Sequence, residues 1–296
     1  MTRSDGTRGF AAAVGAFLIW GLLPVYLKAL ALASPLEIMI QRALWCCVFV
    51  LGWLAWKRAL AGVKHALLDG PTRNRLMLSA TLITVNWFVY VWAVHSGHVI
   101  ETSLGYFINP LVNVVLGVLV LRERLNLWQC VAVACAVGGV AYLTWFAGRL
   151  PWISLILACS FGSYGLIRKM MNVEAVTGLA TETLLIFPFG LAALGWMAAH
   201  DRVAFGHIGW PIDVLLMLGG VVTAVPLALF SYGARLIPYS TIGLIQYLAP
   251  SLQLALGVWL FHEPMPRARL WGFCLIWLAL SIYALDSLYR ARRVNV

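Results

Sequence analysis

Residues 101–123 of this 296-residue chain, ETSLGYFINPLVNVVLGVLVLRE, recur in altered form 140 positions later. That shift carries Pro110 onto Pro250, Asn113 onto Gln253, Gly117 onto Gly257, Val118 onto Val258 and Glu123 onto Glu263. Tyr106 and Phe107 fall on Gln246 and Tyr247. The uncharged run from Thr102 to Leu121 is long enough, at about 1.5 Å per helical residue, to cross a hydrocarbon core of about 30 Å. Yet it is not uniformly apolar. Tyr106, Asn109 and Asn113 lie at i, i+3 and i+7, so they share one helical face, which Gly117 continues. Pro110 sits in that stripe and frees a backbone carbonyl that lipid cannot satisfy. Such a helix must turn its amide face toward protein or water.

Composition makes the setting explicit. Hydrophobic residues make up 62% of the chain and charged residues 11%, against about 25% charged in soluble domains. This reads as an all-α, multi-pass integral membrane protein. The formal net charge of +10 fits cytoplasmic loops against anionic headgroups. No basic cluster interleaves with aromatics, so nucleic acid is not an expected partner. The six cysteines all lie in apolar runs without metal-ligand spacing, and they read as buried thiols.

Ten charge-poor spans follow, at about 9–27, 36–56, 76–94, 101–123, 127–146, 152–167, 176–199, 212–236, 241–261 and 270–288. The first is too long for a cleaved leader, and Pro24 marks a kink in it. Pro226 falls in the middle of the eighth. The segments 57–75 and 200–211 read as polar loops. The duplication extends beyond its clearest stretch. At offset 141, Gly21 meets Gly162 and Lys28 meets Lys169; at offset 140, Tyr90 meets Phe230, Trp92 meets Tyr232 and Arg42 meets Glu182. Two units result, 9–146 and 150–289, each of five spans. Five is odd, so the second copy crosses the membrane in the opposite sense. With the termini in the cytoplasm, fifteen Lys and Arg fall inside and five outside, with Arg42 within a span. That bias places both termini inside.

The string Ser103-Leu104-Gly105-Tyr106-Phe107-Ile108-Asn109-Pro110-Leu111-Val112-Asn113 resembles the RarD branch of the EamA/drug-metabolite transporter (DMT) superfamily. Two further stretches are similar to it, Phe161 to Lys169 and Gln246 to Pro250. The resemblance covers essentially the whole chain, apart from the loop at 200–211. It implies a multi-pass permease of the bacterial inner (plasma) membrane, with ten helices in two EamA repeats, of a kind that exports small metabolites. It also implies a central cavity lined mainly by spans 1, 3, 4, 6, 8 and 9.

Within that frame the pathway candidates are Asn109, Asn113, Gln246 and Gln253. A buried amide without a partner costs a few kcal/mol, so each must meet another helix, water or a solute. Interhelical ties and pathway lining are both open to them. Pro24, Pro110, Pro226 and Pro250 break helical hydrogen bonding, either to open carbonyls to a cavity or to bend helices for packing. Asn86, Trp87 and Tyr90 on span 3, with Trp20, Tyr106, Tyr164 and Tyr247, supply aromatic faces. These suit a small aromatic or amphipathic solute, a cationic one included, and they equally suit ordinary packing. Arg42 and Glu182 are charges within spans, costing roughly 2.5–3.5 kcal/mol each near a helix centre. Their equivalence in opposite copies sets them toward opposite membrane faces and argues against a direct pair. Glu182 is a candidate proton carrier; Glu101, near a span end, is expected to be solvated.

His95 and His98 have no acidic or thiol ligand beside them, so no metal site is expected. No phosphate-binding loop, GxSxG or HExxH motif occurs, and no cofactor is called for. The expected function is therefore secondary-active export of small metabolites or amphipathic drugs by alternating access, not catalysis. A lipid-acting membrane enzyme and a structural or regulatory membrane subunit are the alternatives. The first would need an interfacial nucleophile or carboxylate pair; the second has little use for repeated amides.

Overall fold

The computed structural model of the chain describes residues 3–122, 125–237 and 245–294. The described residues form α1 (Arg3–Ala29), α2 (Pro35–Trp56), α3 (Ala61–Leu68), α4 (Gly70–His95), α5 (Val99–Leu121) and α6 (Leu127–Ala147). They continue with α7 (Trp152–Lys169), α8 (Ala175–Ala199), α9 (Trp210–Leu236), α10 (Leu248–Ala255) and α11 (Arg267–Val294). A wider π-helical turn, Leu256–Leu260, extends α10. Eight of these helices are long and apolar enough to cross a membrane. Of the other apolar elements, α7 ends in Arg168 and Lys169, and α10 with its π turn forms a shorter helix.

Local signals set the helix ends. The Ser34 hydroxyl accepts the Glu37 N–H at 3.2 Å ahead of Pro35, which starts α2. Asp69 accepts the Thr72 N–H at 3.1 Å and starts α4; the Thr72 hydroxyl first and this N–H second hold its carboxyl below the usual range. Asn126 and Gln129 cap each other at the head of α6, and Gly148 closes that helix at φ 65°. These signals revise the polar loop expected at 57–75. Asp69 and Pro71 start α4 six residues before the apolar run at Leu76, and α3 occupies much of the remainder. The expected opening of the ninth span at 241–244 lies outside the described residues, as does Glu123.

The loops sort to two ends of the bundle. At one end, the Glu37 carboxylate accepts the N–H groups of Ala204 and Phe205, and the His95 ring lies 3.3 Å from the Leu30 carbonyl. Glu263 accepts the N–H groups of Val99 and Ile100 at 2.6 and 2.8 Å. At the opposite end, Asn126 Nδ2 donates to Asp286 at 2.6 Å, and Gly9 lies against Leu236 and Ile237. Asn126 and Glu263 therefore sit at opposite ends of α5, and α1 begins at the end where Asp286 lies.

The helices pack mainly across the two halves of the chain. α1 lies on α9 and on α10; α7 lies on α4 and on α5. α2 meets α9 and α8, α4 meets α8, α5 meets α10, and α6 meets α11. Exchanging each spanning helix with its counterpart in the other half leaves this set of contacts unchanged. Close approaches repeat too. A side chain at Gly21 would meet Leu252 at 2.9 Å, and one at Gly162 would meet Val112 at 3.0 Å; both pairs are equivalent under the duplication. Arg122 and His262, 140 residues apart, both adopt left-handed backbone at φ 56° and 53°. Outward faces carry exposed tryptophans, Trp56, Trp145, Trp210 and Trp259 among them, as expected of a surface against lipid.

Candidate functional site

Glu182 on α8 is 1% exposed, and side chains from two other helices, α4 and α7, satisfy it. Ser79 of α4 donates to Oε1. The Tyr164 hydroxyl of α7 donates to Oε2 at 3.4 Å, and Arg168 Nη1 stands 3.7 Å from Oε1. Arg168 reads from the sequence as a cytoplasmic loop charge; here its side chain folds inward and is largely buried. Gly178 makes this possible, because any Cβ there would lie 1.8 Å from Arg168 Nη1. That glycine was the available sequence signal for an inward arginine.

Arg42 on α2 occupies the matching place in the first half and is 4% exposed. Its Nε and Nη2 donate to Thr223 Oγ1 at 3.3 and 3.2 Å, while the Thr223 hydroxyl itself donates to the Gly219 carbonyl at 2.8 Å. The guanidinium lies over the Trp87 ring at 5.6 Å. Gly219 makes room for the side chain, since a Cβ there would meet Arg42 Cγ at 2.6 Å. Nη1 has no partner. No ion pair joins Arg42 to Glu182 among the described residues.

Tyr26 reaches the same glycine as Arg42, its hydroxyl lying 2.8 Å from where a Cβ at Gly219 would stand, and Tyr90 lies one turn beyond Trp87 on α4. The Tyr26 hydroxyl donates to the Leu215 carbonyl at 2.8 Å. Tyr90 meets Tyr106 edge-on at 5.8 Å and keeps a buried hydroxyl without a partner. Tyr106 also packs on Phe161 at 6.2 Å. Asn109, next on the stripe, is buried with Oδ1 unpartnered, and Asn113 is exposed, beside Gly162 of α7.

The second copy of the stripe behaves differently. Gln253 Nε2 donates to the Trp20 carbonyl at 3.1 Å. That carbonyl is the one Pro24, four residues on, cannot engage, so the amide of one half repairs the helix break of the other. Gln253 Oε1 remains buried and unpartnered. Trp20 packs on Phe17 and Phe230 at 5.3 and 5.9 Å. Gln246 is half-buried in the turn before α10, and Tyr247 stacks on Phe107 at 6.3 Å. Asn86 is fully engaged on its donor side, with Nδ2 bonded to the Leu157 carbonyl and Ser160 Oγ at 3.0 Å each; this is an interhelical tie between α4 and α7. Pro110 and Pro226 are buried within α5 and α9, and the Pro250 carbonyl accepts the Ser103 hydroxyl at 2.8 Å.

Glu101 is not solvated as expected. It is buried and meets Arg149 at 3.2 Å and His98 at 3.6 Å, because α7 brings the interdomain turn over the head of α5. Glu263, near the same end, has its carboxyl pushed above the usual range by burial, against the opposing pull of the Ile100 and Val99 N–H groups, His98 and Lys28. A cleft of about 900 Å³ opens between α5, α6 and α7, lined by Val112, Val137, Trp145 and Cys159. It is apolar, and the pathway candidates do not line it.

Comparison with known proteins matches this geometry to a family. The model of the EamA-like transporter family fits residues 7–145. An uncharacterized transporter of Pseudomonas aeruginosa is 43% identical, across 99% of this chain and 99% of its own. Protein RarD of Streptomyces exfoliatus is 44% identical over 96% of this chain and 90% of its own, and Protein RarD of Escherichia coli is 37% identical over 100% of each. A chain of known crystal structure shares the fold over 100% of both chains, with TM-score 0.55 at 19% identity. The chain thus belongs to the RarD branch of the EamA/drug-metabolite transporter superfamily, whose members are multi-pass membrane proteins.

Proposed function

We propose that this protein is a secondary-active exporter of small metabolites or amphipathic drugs in the bacterial inner membrane, with both termini cytoplasmic. Its two units, 9–146 and 150–289, rock against each other about a site near the midplane. The observation that supports this most is that Arg42 Nη1, Tyr90 Oη, Asn109 Oδ1 and Gln253 Oε1 are four of the six buried side-chain polar atoms without a hydrogen-bond partner among the described residues, the others being His95 Nδ1 and Arg168 Nη1. The four come from both halves, in a bundle whose main helix pairings survive exchange of those halves. Asn86, by contrast, spends both amide hydrogens on α7; unsaturated groups are what a solute or water can meet. Glu182, held by Ser79, Tyr164 and Arg168, is the proton carrier in this reading.

The test is counterflow and efflux of a metabolite panel in proteoliposomes, with and without an imposed pH gradient. The Asn109→Leu, Gln246→Leu double variant is expected to insert and fold yet lose flux. Glu182→Gln is expected to transport without response to the gradient. Flux at the wild-type rate in the double variant contradicts the proposed site, and an unaltered pH response in Glu182→Gln contradicts the proton role.

A further inference from the structure

The duplication places a buried charge on α2 and another on α8, but only one of the two is neutralised from within. Glu182 has Arg168 at 3.7 Å. Arg42, its counterpart, has no carboxylate within ion-pair distance among the described residues. The other buried carboxylates are committed elsewhere. Glu37 accepts the Ala204 and Phe205 N–H groups, Glu101 holds Arg149, Glu263 caps α5 and Asp286 holds Asn126. A guanidinium at this depth without counter-charge is costly.

The geometry around it is a donor set. Thr223 fixes Nε and Nη2, and the Trp87 ring supports the guanidinium plane. Nη1 is left with both hydrogens unused, and Tyr90 offers a second buried hydroxyl without a partner. One fixed positive charge suits a monoanion. Planar delocalised oxygens suit a guanidinium edge, and the Tyr90, Tyr106 and Tyr26 rings suit an aromatic body. Relying on the transport reading for its role, we infer that Arg42 anchors the carboxylate of an aromatic or apolar monocarboxylic solute, with Tyr90 as the second donor. This replaces the cationic solute that the aromatic lining alone allowed.

The probes are phenylacetate, its neutral isostere phenylacetamide, the cation phenethylamine, and chloride. Binding to the purified full-length protein in nanodiscs is read as the shift in Tm along each titration. Phenylacetate is expected to half-saturate at a concentration about tenfold or more below the other three, the range of one charge-assisted hydrogen bond. Arg42→Gln is expected to erase that preference and leave phenylacetamide unchanged, while Arg42→Lys keeps part of it. Thr223→Val, which frees the guanidinium to wander, is expected to weaken phenylacetate severalfold and serves if Arg42→Gln does not fold. Equal binding of acid and amide overturns the inference, as does a preference that survives in both Arg42→Gln and Thr223→Val. An equal response to chloride makes the occupant an inorganic counter-ion and overturns it too. Counterflow is measured separately. Arg42-dependent binding without translocation defeats the exporter reading alone; translocation of neutral or cationic solutes indifferent to Arg42→Gln defeats the carboxylate anchor alone.

Discussion

Arg42 and Glu182 hold matching places on α2 and α8 in different surroundings, Thr223 and Trp87 around the first and Ser79, Tyr164 and Arg168 around the second. Their matching register was legible in the sequence, where it argued against a direct pair. The partners were not. Ser79, Thr223 and Tyr164 are ordinary residues on other helices, and Arg168 looks like a loop charge because it ends a helix. Only Gly178, which leaves the space for its guanidinium, hinted at the inward turn. Ala at this position would evict Arg168 Nη1 and strand the Glu182 carboxylate. Gly178→Ala should therefore lower stability by about 1–3 kcal/mol, the usual cost of a buried polar group losing its partner. Adding Glu182→Gln should recover most of that loss. Thermal unfolding of the single and double variants checks this; an equal drop in both backgrounds would assign the cost to steric crowding instead.

At the scale of elements, the apolar spans were readable and their junctions were not. Hydropathy marks lipid contact, so it overlooks capped, partly polar helix starts such as Gly70–Arg75 and a short amphipathic piece such as α3. It is likewise blind to the π turn after α10, where Gly257 lies close against Ile100 of α5. The link between Pro24 and Gln253 has a sharper consequence. Proline leaves the Trp20 carbonyl without its helical donor, and Gln253 supplies one from another helix at 3.1 Å. Gln253→Leu should cost about 1–3 kcal/mol through that orphaned carbonyl. In a Pro24→Ala background, where residue 24 can donate again, the same change should cost about 1 kcal/mol less. A double-mutant cycle by denaturant unfolding in mixed micelles measures the coupling. Strict additivity would mean that the bond carries no stability.

The whole molecule is a set of helix pairs that maps onto itself when its halves are exchanged. Every repeated feature follows from that arrangement: Gly21 on Leu252 and Gly162 on Val112, left-handed Arg122 and His262, and charges on α2 and α8 that face α9 and α4. The 140-residue register made much of the arrangement legible, because matched glycines such as Gly21 and Gly162 are places where an opposing helix fits closely. The departures from symmetry were not legible, since Arg42 without a counter-charge and Glu182 with one look equivalent in sequence. The central claim is that the two halves cross the membrane in opposite senses. The direct measurement is labelling of single cysteines at Asn126 and Met265, in a cysteine-free background, with a membrane-impermeant maleimide in intact cells. The account predicts that position 265 reacts in intact cells and position 126 only after permeabilisation. Reaction of both positions from the same side would contradict it.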